Sequence, residues 1–100
     1  AILVDDMVDT MGTMISAANE LREKGCKDVI ILATHGVFSD PALTRIQNCD
    51  AIHKVIVTNT LPQNNNINKV QRIECIDIGN LLAKVITNLV KGDSLSQLFE

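Results

Sequence analysis

Tryptophan and tyrosine are missing from this chain, and phenylalanine occurs only twice. Without rings on which bases can stack, a single-stranded nucleic-acid platform is excluded. Positive charge is also scarce: nine Lys and Arg stand against twelve Asp and Glu, for a net charge of -3. No basic stripe is present, so the electrostatic footprint of a phosphate backbone is lacking and nucleic acid is not expected as a partner. Neither a run long enough to cross a bilayer nor a signal-like N-terminus is found, so no membrane role is expected. Cysteine is limited to Cys26, Cys49 and Cys75. Their odd number, wide spacing and lack of any Cys-x-x-Cys or Cys-x-x-His pattern argue against metal or redox use and suit isolated thiols in a reducing cytoplasm.

What is present is ordinary globular material, 46% hydrophobic and 21% charged in 100 residues. That is one compact domain, burying about 60–65% of the surface of the unfolded chain. Ala1 stands directly against the first apolar run. A chain that opens on a strand without an initiator methionine is expected to be part of a longer protein.

The most informative stretch is Ile2–Thr13, Ile-Leu-Val-Asp-Asp-Met-Val-Asp-Thr-Met-Gly-Thr. Three apolar residues suit a buried parallel strand; two adjacent carboxylates, a short polar loop and an amphipathic helix follow. In an open α/β sheet, ligands bind beyond the carboxyl ends of the strands, where Asp5 and Asp6 are expected. Backbone N–H groups around Thr10–Thr13 would fall in the first helical turn, where unpaired donors and the helix dipole favour a phosphate. Gly12 allows close approach to a ligand, and the hydroxyls of Thr10 and Thr13 add donors. Asp5 and Asp6, as acceptors, suit sugar hydroxyls or a hydrated Mg²⁺. One site would grip both ends of a sugar phosphate.

Met14, Ala17, Ala18 and Leu21 recur at helical spacing, giving a helix to about Lys24 that ends at Gly25. Asp28–Ala33, with its run Val-Ile-Ile-Leu, reads as a second strand, buried on both faces. Thr34–Ser39 should follow it at the same sheet edge as the loop. Asp40 as N-cap and Pro41 at the first helical position predict a short helix to about Asn48. Lys54–Thr58 is a third strand, Asn59–Asn68 a surface loop, and Arg72–Ile76 a fourth strand. Asp77 should cap a last helix with a core face of Ile78, Leu81, Leu82, Val85, Ile86 and Leu89, ended by Gly92. The fold class is α/β: a three-layer arrangement with a mostly parallel sheet of about four strands and flanking helices. His35 and His53 have no partner spacing and read as structural residues.

The run from the apolar strand through Asp5-Asp6 to Asp9-Thr10-Met11-Gly12-Thr13 resembles the ribose 5-phosphate signature of type I phosphoribosyltransferase folds. Among these it is most similar to class I ribose-phosphate pyrophosphokinases. Three later stretches resemble the same family in the same order: Ala33–Ser39, Val57–Gln63 and Gly92–Phe99. Met11 stands where many phosphoribosyltransferases have Gly, a position at which the pyrophosphokinases vary.

The resemblance implies that the chain is the C-terminal part of a phosphoribosyltransferase-like domain, with the ATP-binding portion upstream. It implies that Asp5 and Asp6 contact the ribose 2- and 3-hydroxyls or associated Mg²⁺. Asp9, Thr10, Gly12 and Thr13 would cradle the 5-phosphate, with Met11 offering only its backbone N–H. Ser94, Ser96 and Phe99 would line an allosteric site at subunit boundaries, activated by phosphate and inhibited by ADP, in a hexamer built of dimers. The implied reaction transfers diphosphate from ATP to ribose 5-phosphate, and this segment alone would not catalyse it. A non-catalytic associated subunit and a true phosphoribosyltransferase are the alternatives; the complete loop favours an enzyme, and the Thr-His-Gly and Ser-x-Ser segments favour the synthase.

Overall fold

A computed structural model of the chain describes residues 1–99. Four strands, β1 (Ile2–Val8), β2 (Val29–Gly36), β3 (Ile52–Thr58) and β4 (Ile73–Ile76), form one sheet in the order β1-β2-β3-β4, every pair parallel. The helices α1 (Gly12–Glu23), α2 (Ala42–Gln47) and α3 (Asn64–Lys69) make the crossovers. An order that advances in one direction at every crossover lays all right-handed connections on the same face. The core agrees. Val29, Ile31, Ala33, Val55, Val57 and Ile73 point into a single buried cluster with Ala18 of α1 and Ala42 and Ile46 of α2, while Met14, Ile15, Leu21, Leu43 and Ile67 pack against it.

The parallel sheet and its flanking helices match the expected α/β class. The second face of the sheet differs from expectation. Alternate residues Val4, Leu32, Ile56 and Ile76 share that face through the strand register, and Val4 and Ile76 are 73% and 56% exposed. Thus β2 is fully buried on one face only, and Ile2 and Val4 belong to an edge strand with their apolar side chains in solvent, while Leu3 between them packs against the core. The described residues supply one helical layer. A third layer cannot come from these crossovers, because all three are committed to the other side.

Several boundaries also move. The strand β1 continues through Asp5 and Asp6 to Val8, since Asp5, Met7 and Val8 pair with Ala33, His35 and Gly36. An edge strand tolerates charged side chains that an internal one would have to bury. By the same pairing β2 continues through Thr34-His35-Gly36. The helix α2 starts at Ala42 with Pro41 in the N-cap position; Asp40 is not the cap, and the Ala42 N–H is satisfied by the Ser39 carbonyl at 2.9 Å.

The expected loop Asn59–Asn68 is instead helical from Asn64 onward, the helix running Asn64–Lys69. Asparagine is a poor helix former, but tertiary contacts override that preference here. Gln63 is buried, its Nε2 donates to the Gly36 carbonyl at 2.7 Å, and its Oε1 accepts from Asn66 Nδ2 at 2.9 Å.

The last helix, α4 (Gly79–Lys91), has Ile78 in the N-cap position instead of Asp77; from one residue further out, the Asp77 carboxylate still accepts the Gly79 N–H at 2.7 Å. Gly92 ends it in the left-handed conformation. Its apolar stripe, however, is not a core face. None of its residues is buried, and Ile86 and Leu89 are exposed. Its principal neighbour is the short 3-10 turn η1 (Ser96–Phe99).

Candidate functional site

Where β1 ends, four consecutive residues are each fixed by a different partner. The Val8 carbonyl accepts the N–H groups of Val37 (2.9 Å) and Phe38 (3.4 Å) from the β2–α2 connection. The Asp9 carboxylate accepts the Ser39 N–H at 3.1 Å. The Thr10 carbonyl accepts Nη1 of Arg45, on α2, at 2.9 Å. Finally, the Met11 carbonyl accepts the Ile15 N–H at 2.9 Å, the first bond of α1.

Met11 itself occupies the left-handed region at φ 71° with its side chain buried in the core. For a residue with a Cβ this costs of order 1 kcal/mol and persists only where the surroundings enforce it. Burial of the thioether supplies that constraint, so Met11 is a packing residue that contributes backbone to the loop. Gly12 follows under tight spacing: a Cβ there would lie 3.2 Å from Arg45 Nη1.

No side chain caps α1. The first-turn N–H groups of Gly12, Thr13 and Met14 have no intrahelical acceptors by geometry, and they face a cavity of about 230 Å³ lined by Asp5, Met7 and the residues from Val8 to Met14. Thr10 and Thr13 are exposed beside it. Asp5 and Asp6 are also exposed, and Asp5 Oδ1 accepts the Asp6 N–H at 2.8 Å. The arrangement brings Asp5, Asp9, Thr10, Met11, Gly12 and Thr13 around one space: anion-favouring donors at the helix end and carboxylate acceptors toward the strand. The Asp9 carboxylate already holds Ser39, so it acts as a brace between the two loops.

The segment Thr34–Ser39 lies at the same sheet edge, as expected, but His35 is occupied locally: its Nδ1 is 2.8 Å from Thr60 Oγ1. Thr58 and Thr60 donate to the Thr34 carbonyl at 2.7 and 3.3 Å. Ser94, Ser96 and Phe99 are elsewhere, beyond α4. The two serine hydroxyls are 2.7 Å apart, Asn88 Nδ2 donates to the Ser94 carbonyl at 3.0 Å, and Phe99 is exposed. Sequence reasoning missed Arg45 and Gln63. Each acts on a carbonyl more than 25 residues away, and no local spacing rule connects such positions.

At the C-terminal edge of the parallel sheet, β1 thus delivers an uncapped helix end and exposed carboxylates beside one cavity. Residues 1–100 match the family model described as the phosphoribosyl synthetase-associated domain, and the chain belongs to that family. It is 48% identical over 99 residues to the ribose-phosphate pyrophosphokinase of Aquifex aeolicus (strain VF5), covering 99% of this chain and 31% of that protein. It is also similar in structure to the phosphoribosylpyrophosphate synthetase from Mycobacterium smegmatis, with a TM-score of 0.82 and 49% identity over 91% of this chain and 30% of that one. The chain therefore spans about a third of the length of these relatives.

Proposed function

We propose that this chain is the ribose 5-phosphate-binding part of a ribose-phosphate diphosphokinase, which transfers the β,γ-diphosphoryl group of ATP to the 1-hydroxyl of ribose 5-phosphate. The observation that carries the reading is the uncapped first turn of α1 facing the cavity that Asp5 also lines. Family membership and the 48% identity to a pyrophosphokinase support it. In this reading the N–H groups of Gly12 and Thr13, with the hydroxyls of Thr10 and Thr13, hold the 5-phosphate. Asp5 and Asp6 hold the ribose 2- and 3-hydroxyls. The acceptor sugar is thereby oriented, and transfer reactions of this type depend chiefly on positioning and electrostatics.

Mg²⁺ is the cofactor of this reading. The exposed carboxylates of Asp5 and Asp6, consecutive on β1 and so on opposite faces of the strand, each fit it singly, Asp5 beside the loop cavity, because Mg²⁺ keeps most of its waters and needs only one or two protein carboxylates. Among the described residues no group of three or more His, Cys, Asp or Glu could form a cage. When bound, the ion would neutralise phosphate charge near the ribose hydroxyls. The ATP half of the site belongs to the remaining two-thirds of a protein of the relatives' length. Ser94, Ser96 and Phe99 form the phosphate- and ADP-responsive tail of a homo-oligomer, a hexamer in this reading, and three unpaired thiols fit a cytoplasmic setting.

Calorimetry tests the site: ribose 5-phosphate should bind more tightly than an unrelated sugar phosphate, and equal affinities would remove the assignment. The 100-residue chain should show no turnover of ATP with ribose 5-phosphate. Measurable turnover would contradict the division of the site between two segments.

A further inference from the structure

The groove between α1 and α2, about 490 Å³ and lined in part by Arg22, Arg45 and Asp50, lies behind the loop on which the proposed function depends. Arg45 shares no wall of the cavity in front of that loop. It reaches the loop from behind: Nη1 donates to the Thr10 carbonyl at 2.9 Å and sits against Gly12, where even a Cβ would come within 3.2 Å. We infer that Arg45 is a positioning residue for the phosphate loop, setting the direction of the Gly12 and Thr13 N–H groups without touching the ligand. The inference rests on the reading of the loop as a phosphate site.

Two physical effects converge on this side chain. First, the Thr10 carbonyl is the last peptide group before the left-handed turn at Met11. A rigid, planar guanidinium holding that oxygen away from the cavity keeps the following peptides turned with their N–H groups toward it. Secondly, no carboxylate lies within ion-pairing distance of Arg45 among the described residues. Its charge therefore adds, through the loop, to the positive end of the α1 dipole. Both effects favour an anion on the far side. Arg22 provides an internal contrast, since it lines the same groove but makes no hydrogen bond to the loop.

The test follows the amides of Gly12 and Thr13 by NMR in the ¹⁵N-labelled full chain, titrated separately with ribose 5-phosphate and inorganic phosphate. Thermal midpoints by circular dichroism accompany each variant. Arg45→Met should weaken both ligands about tenfold, the scale of a lost charge-assisted contact, with little change in midpoint because the side chain is exposed. Arg45→Lys, which keeps the charge and one donor, should recover most of the affinity; Arg22→Met should leave it unchanged. Equal affinities in the wild type and Arg45→Met would overturn the inference while leaving the site reading intact. So would equal losses in Arg22→Met and Arg45→Met, which would reduce the effect to general charge. A loss that tracks a fall in midpoint, and is not recovered by Arg45→Lys, would also overturn it, as a purely structural role. If Arg45→Met does not fold, Arg45→Gln takes its place with the same expected loss. No saturable shift at Gly12 or Thr13 in the wild type would overturn the site reading itself, and the inference with it.

Discussion

Gly36 is the residue through which the core and the loop are coupled, and replacing it with alanine should damage both. A Cβ at this position would lie 2.5 Å from Phe38 Cε2, 3.0 Å from Gln63 Nε2 and 3.1 Å from Val57 Cγ1. Carbon atoms reach optimal contact at about 3.5–4.0 Å, so the overlap with the Phe38 ring is about 1 Å. None of the three neighbours is free to move away. Phe38 is buried at φ 51°, Val57 is a core residue, and Gln63 is locked to the Gly36 carbonyl by its 2.7 Å bond. Overpacking of this kind costs about 1–3 kcal/mol, and releasing the buried Gln63 amide would cost about 1–3 kcal/mol more. The expected loss is about 3 kcal/mol, a large fraction of what a domain this small possesses. With neither tryptophan nor tyrosine in the chain, urea unfolding must be followed by far-UV circular dichroism instead of intrinsic fluorescence. In a Phe38→Leu background, which removes the Cε2 atom, Gly36→Ala should cost less by at least about 0.5 kcal/mol. A loss below about 1 kcal/mol in the single variant, or strict additivity in the double one, would refute the reasoning.

Other substitutions probe separate parts of the structure. Asp5→Asn and Asp6→Asn should each weaken ribose 5-phosphate binding while moving the unfolding midpoint little, since both side chains are exposed; unfolding without a binding defect would make them structural. Arg72 Nη1 donates to the carbonyls of Ile46 and Cys49 at 3.0 and 2.7 Å, at the end of α2. Arg72→Met should therefore destabilise by about 1–3 kcal/mol in urea titrations, as its charge-assisted bonds to these two carbonyls are lost. Asp9→Ala should free the Ser39 N–H and raise amide exchange across Val37–Ser39; unchanged protection factors would deny the brace. Ser96→Ala, in a protein of the relatives' full length, should alter phosphate activation or ADP inhibition more than basal turnover, and a purely basal effect would count against the tail assignment.

The four parallel strands were legible because each contains a β-branched apolar core, and the loop because donors, glycine and carboxylates follow one strand within a few residues. The missed features have a common cause. The helix at Asn64–Lys69 depends on Gln63 reaching Gly36, and the strand character of Asp5 and Asp6 depends on pairing with β2. Neither contact leaves a local signal. Arg45 was invisible for the same reason, as a helix residue whose target lies 35 positions earlier. The α4 stripe was read correctly as an amphipathic pattern, but periodicity reports which side of a helix is apolar and not what covers it.

That distinction also explains the shape of the chain. Because the strand order never reverses, the crossovers exhaust themselves on one face, and the apolar row Val4, Leu32, Ile56 and Ile76 can be covered only by something that is not a crossover between these strands. The loop at the end of β1 does not depend on that second face. Its four anchors come from the β2–α2 connection, from Arg45 of α2 and from α1 itself, all formed on the covered side. The cradle should therefore keep its shape even while the other face stays open. Amide protection of Val37 and Ile15, whose N–H groups close the loop on Val8 and Met11, should match that of the core strands in the 100-residue chain. If those two amides exchanged as fast as the exposed α4 backbone, the loop would need a cover on the open face, and its independence would be wrong.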